Sequence, residues 1–212
     1  MKNIKIDNKE QWKEFIMREA SYAIPEECKG GLCIDAGCNI GDFEMNHKNR
    51  FDKYVCFDVF EENITEAKNN TKDLGVDIEI NKLAVWSESD KFINVMAYER
   101  WDTKNIQYFG ASGNVGCVEY IGDKGAGWNR DNTIDLVQTI SIDSIIEKHG
   151  TINLLKVDVE GSEYEFLLGK DLSKINYIVG EFHFEQEKQK ELVDWISKTH
   201  DVCAGYYKLK TP

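Results

Sequence analysis

Apolar and polar positions along the chain switch repeatedly between a helical period and short apolar runs, and that switching predicts the architecture. Trp12, Phe15, Ile16 and Ala20 recur at helical spacing, which predicts a leading helix over 9–23 packed on the domain. An apolar run from Gly31 to Ile34 ends at Asp35, and Gly37 and Gly41 follow at once. A strand, a tight loop and a helix start therefore fall together. Tyr54-Val55-Cys56-Phe57 repeats the form and ends at Asp58. Leu154 to Val157 ends at Asp158, and Tyr177 to Gly180 ends at Glu181. Helical stretches lie between them: 61–74, closed by Gly75, then one opened by Ser141 as N-cap, then 162–168 and 185–199. Extended segments are predicted at 76–80, 83–86, 92–98 and 136–140. The residues after the last helix have the length of one ordinary strand.

Strands alternating with helices predict an α/β fold with a doubly wound, mostly parallel sheet. Ligands of such sheets bind beyond the carboxyl ends of the strands. Asp35, Asp58, Asp158 and Glu181 all end strands, so the pattern directs four acids toward one crevice. Gly37 offers bare backbone to a ligand there, and Gly41 lets the next helix approach closely. A dinucleotide fingerprint would place glycine at position 39, where this chain has Asn39. Asp35 at the mouth instead suits a ligand carrying an ammonium group. Asp58 can accept both hydroxyls of a ribose, or it can cap the helix that follows. Leu83-Ala84-Val85 by itself reads as a plain core strand.

Composition narrows the partners. Lys plus Arg number 26 against 38 Asp plus Glu, a net charge of −12 that argues against nucleic acid. No stretch is apolar enough to span a membrane, and no signal-peptide core follows the N-terminus. Cys28, Cys33, Cys38, Cys56, Cys117 and Cys203 form no Cys-x-x-Cys pair and read as reduced thiols in a cytoplasmic compartment. Cys38 lies in the ligand loop without a visible basic neighbour to activate it. The length of 212 residues and the lack of a linker predict a leading segment, 1–30, on a single domain, 31–212. Oligomeric state is left open, a homo-oligomer included. The segment 99–133, rich in Gly, Asn and aromatics, reads as long loops suited to carrying function. There Trp101 and Trp128 can stack on a sugar ring, while Tyr108, Phe109 and Tyr120 can equally pack on the sheet.

A second segment, Lys156-Val157-Asp158-Val159-Glu160-Gly161, closely resembles the signature of the FkbM family of methyltransferases. Asn39-Ile40-Gly41, Ala111-Ser112-Gly113, Thr139-Ile140-Ser141-Ile142-Asp143 and Val179-Gly180-Glu181-Phe182-His183 resemble further elements of that family in the same order. The resemblance implies a Rossmann-like methyltransferase fold; such folds usually finish with an antiparallel hairpin, and the few residues after the last helix here predict a shortened one. It implies S-adenosylmethionine as donor, held by Asp35, Gly37, Asn39, Gly41, Asp58 and Ala84. It also implies methyl transfer to a hydroxyl of a sugar, glycan or small natural product, with Trp128, Trp101 and Ser112 facing the acceptor. A hydroxyl needs a base, and Asp158, Glu160, Glu181 and His183 are the candidates. His183 has the unperturbed pKa best suited to that task, although clustered acids would raise it and favour a carboxylate. Asp158, Glu181 and His183 could alternatively hold Mg2+. Lys156 reads as a structural lysine paired with an acid. An RNA or protein methyltransferase, or a non-catalytic S-adenosylmethionine-binding module, remain alternatives of the same fold.

Overall fold

The computed structural model describes residues 22–96, 116–117, 134–183 and 185–211. Most of the expected leading helix, together with Trp101, Tyr108, Phe109, Ser112, Tyr120 and Trp128, lies outside the described residues.

Five parallel strands form the centre of the main sheet: β1 (Leu32–Ala36), β2 (Lys53–Asp58), β3 (Asp77–Lys82), β8 (Ile152–Val157) and β9 (Ile175–Gly180). The hairpin β10 (His200–Cys203) and β11 (Tyr206–Leu209) completes it, giving the order β10-β11-β9-β8-β1-β2-β3. A smaller sheet of four strands contains β4 (Ala84–Val85), β5 (Phe92–Met96), β6 (Gly116–Cys117) and β7 (Ile134–Ile140), in the order β4-β7-β5-β6.

Helices α1 (Asp42–His47), α2 (Glu61–Thr71), α3 (Ile142–His149), α4 (Glu163–Leu167) and α5 (Gln186–Ile196) connect these strands. Ser141 caps α3 as its sequence position predicts, its hydroxyl accepting from the Ser144 amide at 3.3 Å.

The central strands read as continuous apolar runs because both sheet faces are covered. Ile34, Ala36, Val55, Leu155 and Ile178 bury one face beneath Ile145, Phe166, Leu192 and Ile196. Cys33, Tyr54, Cys56, Leu154 and Val179 bury the other beneath Phe43 and Phe51. Truncating a fully buried leucine in such a core costs about 2–5 kcal/mol.

The C-terminus forms the shortened hairpin of the expected fold. Where the sequence leaves room for one ordinary strand, the chain forms two strands of four residues each. Gly205, at φ 88, supplies the left-handed turn between them. The β11 strand then runs antiparallel to β9.

The strand order places the site. From β1 the chain builds β2 and β3 outward on one side, whereas β8 and β9 lie on the other. The order therefore reverses between β1 and β8, and a crevice opens at their carboxyl ends.

Candidate active site

The loop after β1 forms the floor of the crevice. Gly37 has φ 86, and a Cβ added there would lie 1.8 Å from the Asp158 carbonyl oxygen. Glycine is thus required both by the backbone conformation and by the close approach of the β8 end. Gly41, at φ 79, sits against α2, where an added Cβ would meet Thr71 at 2.8 Å. Its small size serves the packing of α1 on α2 rather than of helix on strand.

Asp58 ties this loop to the next unit. Its Oδ2 accepts from the Asn39 amide at 2.9 Å, and its Oδ1 accepts from the Phe60 amide at 3.0 Å and from Asn63 Nδ2 at 3.1 Å. Burial raises its pKa although these bonds favour the charged form. Asp58 therefore clamps the Asn39 turn and caps α2 at once. Its carbonyl accepts from the Leu83 amide at 3.1 Å, which brings buried Ala84 beside it.

Asp35 departs from expectation. It is 0% exposed and does not open onto the crevice. Strand alternation puts it on the covered face with Cys33, directly opposite Lys156 in the β1–β8 register. Lys156 Nζ lies 2.9 Å from Asp35 Oδ1 and donates to the Gly37 carbonyl at 2.6 Å. A buried carboxylate needs an internal cation, and Lys156 is that cation, as its reading as a structural lysine anticipates.

Cys38 is buried as well. The hydrogen bond with Cys56 favours its thiolate, but burial and the charges of Asp58, Asp35 and Glu44 together outweigh it and push the thiol up to about 12. It is therefore no nucleophile at neutral pH. Cys28, Cys33, Cys38, Cys56 and Cys203 are all free thiols.

At the ends of β8 and β9 the four expected catalytic residues converge. His183 Nε2 lies 3.4 Å from Glu181, 3.7 Å from Glu160 and 3.9 Å from Asp158. Its other nitrogen, Nδ1, lies 2.9 Å from Oε1 of Glu163. Glu163 is fully buried, and its two oxygens accept from the amides of Val159 and Gly161, each at 3.1 Å. Those amides turn inward because Glu160 and Gly161 both take positive φ, at 56° and 129°. Desolvation lowers the pKa of His183, but the Glu163 hydrogen bond and the charges of Glu160, Glu163 and Asp158 outweigh it and lift it to about 9. Burial raises the pKa of Glu160. At neutral pH the site thus holds an imidazolium among carboxylates.

Three contributors escape the sequence reading. Glu163 sits in an acid-rich run where nothing marks it as inward; its signal is the place at the start of α4, one turn from the Val159–Gly161 amides. Tyr22 donates its hydroxyl to Asp158 Oδ2 at 2.7 Å, with its ring 5.8 Å from Lys156 Nζ. Asp42, the first residue of α1, is pushed up to about 7 by burial, with Lys156 opposing and Asp35 adding to the shift.

The atoms able to ligate a metal also differ from the expected trio. Among the described residues, Asp158, Glu160 and His183 bring ligand atoms within 4.8 Å of one another; Glu160 takes the place given to Glu181. The side chain of Glu181 is 66% exposed. This set fits Mg2+ poorly, because Mg2+ takes oxygen ligands and one of the three here is an imidazole.

The doubly wound, mostly parallel sheet of this strand order and the family match below make this a Rossmann-like S-adenosylmethionine-dependent methyltransferase fold. Residues 35–203 match the family model of the methyltransferase FkbM domain, and the chain belongs to that family. No curated protein sequence matches it.

Solved structures similar to it include M. capricolum TrmK in complex with S-adenosyl-homocysteine, at 10% identity and TM-score 0.44, covering 92% of this chain and 66% of that one. A S-adenosylmethionine-dependent methyltransferase from Clostridium acetobutylicum is similar at 12% identity and TM-score 0.33, covering 84% and 51%. A ribosomal protein L11 methylase from Lactobacillus delbrueckii subsp. bulgaricus is similar at 11% identity and TM-score 0.39, covering 94% and 76%. The chain thus spans less than two thirds of the length of the first two.

Proposed function

We propose that this chain, as one domain over 31–212, transfers a methyl group from S-adenosylmethionine to a hydroxyl of a sugar, glycan or small natural product. The observation that carries the reading is the placement of His183 between Glu163 and the carboxylates of Asp158, Glu160 and Glu181, beside the Gly37 loop. When bound, S-adenosylmethionine supplies a methyl group on a sulfonium sulfur, and the C–S electron pair stays with sulfur when the methyl leaves.

The chain's own residues supply the rest. The loop through Gly37 and Asn39 bounds the donor site, and Asp58, fixed against that loop, is the residue we assign to the donor ribose. An acceptor hydroxyl becomes a good nucleophile as its proton leaves. Glu160 is the residue we assign as base: its pKa is raised by burial, so its carboxylate is a stronger base than an exposed one. His183, a cation at neutral pH, stabilises the alkoxide character that develops on the acceptor oxygen. Asp158 and Glu181 hold that imidazolium in place.

The net charge of −12 favours an uncharged acceptor over a polyanion. Among the described residues no helix is long and apolar enough to cross a membrane. The test is transfer of a labelled methyl from S-adenosylmethionine to a panel of glycans and hydroxylated natural products, with RNA and protein in parallel. Label on oxygen of a glycan or small molecule, lost in Glu160→Gln, supports the assignment. Label on RNA or protein instead replaces it.

A further inference from the structure

Glu44 lies in α1, three residues beyond Gly41, and is 0% exposed. None of the chemistry above uses it. The Cys56 thiol donates to its Oε1 at 3.2 Å. Its second oxygen, Oε2, and both oxygens of Asp35 lack a hydrogen-bond donor when the two acids are written as carboxylates. Lys156 stands 2.9 Å from Asp35, close enough to neutralise its charge, but its ammonium directs a hydrogen bond to the Gly37 carbonyl. Both carboxyls are fully buried in the same cluster, and burial first, then the neighbouring Asp35 charge, push the Glu44 carboxyl well up.

Two carboxylates hydrogen-bond only when a proton lies between them, because the ionised form is an acceptor alone. One lysine also cannot offset two fully buried negative charges. A single proton resolves both problems: it satisfies the orphaned oxygens and leaves one acid facing one lysine. It belongs to Glu44, since Asp35 is the acid beside the ammonium. Among the described residues, the thiols of Cys33, Cys38 and Cys56 and the Tyr54 hydroxyl also act on Glu44 electrostatically, and none of these is a cation.

We propose that Glu44 is a positioning residue for the donor site: a neutral carboxylic acid that donates to Asp35 and so fixes the Asp35–Lys156 pair gripping the Gly37 carbonyl. The chain of contacts is Glu44, Asp35, Lys156, Gly37, and it ends in the backbone on which the donor lies. This rests on the donor-binding role given to that loop. It also explains why an acid at the end of β1 can be turned away from the crevice without unfolding it.

The test compares wild type with Glu44→Gln and Glu44→Leu. Gln stays neutral and keeps a donor toward Asp35; Leu has neither property. At neutral pH, the infrared spectrum of the wild type should contain a protonated-carboxyl C=O band that Glu44→Gln lacks. Calorimetric titration with S-adenosylhomocysteine should give Glu44→Gln an affinity within about twofold of wild type, and Glu44→Leu a loss of about fivefold or more, the size of one missing buried hydrogen bond. An infrared difference with no such band overturns the proposal, and so does equal affinity in all three proteins or a fivefold loss in Glu44→Gln. Should Glu44→Leu fail to fold, the band and the affinity of Glu44→Gln decide alone. Absence of binding to folded wild type removes the donor reading and the positioning role with it, while the band still reports where the proton resides.

Discussion

Glu163 and His183 form the hinge of the site: Oε1 of the buried acid lies 2.9 Å from Nδ1 of the imidazole, which leaves Nε2 facing the carboxylates. Because Glu163 also accepts from Val159 and Gly161, one side chain sets both the turn after β8 and the aim of the histidine.

Removing that charge should loosen both. Glu163→Gln should lower the pKa of His183 from about 9 toward its ordinary value and cost about 1–3 kcal/mol of stability, the penalty for disturbing buried hydrogen bonds. Histidine NMR titration with urea denaturation measures the two effects. His149 and His200 are pushed down by burial, so their titrations separate from that of His183.

The raised pKa of His183 also makes stability depend on pH. The folded value, about 9, lies above the unfolded value of 6.5, so the folded state binds the extra proton between them. The stabilisation is complete below 6.5 and disappears as pH rises through 9. Thermal melts across that range should show a falling midpoint in wild type and a flatter profile in His183→Gln. Parallel profiles would separate His183 from the effect.

Gly37→Ala is predicted to be among the most damaging single changes. The new methyl would stand 1.8 Å from the Asp158 carbonyl at a left-handed φ of 86°. A loss of about 2 kcal/mol or more is expected, read from the denaturation midpoint, together with loss of S-adenosylhomocysteine binding.

A metal is not expected to contribute. Two carboxylates and an imidazolium present Mg2+ with a poor ligand set. Adding millimolar Mg2+ or EDTA should leave both the melting temperature and the S-adenosylhomocysteine affinity unchanged; a rise in either with Mg2+ would show that the cluster binds it.

Much of this arrangement is legible in the sequence because buried parallel strands announce themselves as apolar runs, and their terminal acids mark one crevice. The inward turn of Asp35 is not, because a strand-end acid reads the same whether it faces ligand or core. The clue lies across the sheet: Lys156 is the one basic residue inside the equally apolar β8, opposite Asp35 in register. Glu163 is hidden for a different reason. Among Glu160, Glu163 and Glu165, the backbone turn at Gly161 decides which acid is buried, and that turn is a tertiary property. Tyr22 falls at the end of the expected leading helix but lies in neither helix nor strand, and no local pattern aims it at Asp158; only the fold brings it there. The short C-terminal strands fall below the length at which a period can be read.

Isothermal titration of the intact protein with S-adenosylhomocysteine tests the donor site most directly. Saturable binding at one site per chain is expected, weakened by Asp58→Ala, which frees the Asn39 amide and removes the carboxylate proposed to meet the ribose. No binding to folded wild type, or binding indifferent to Asp58→Ala, would contradict the assignment of the β1–β8 crevice as the methyl-donor site.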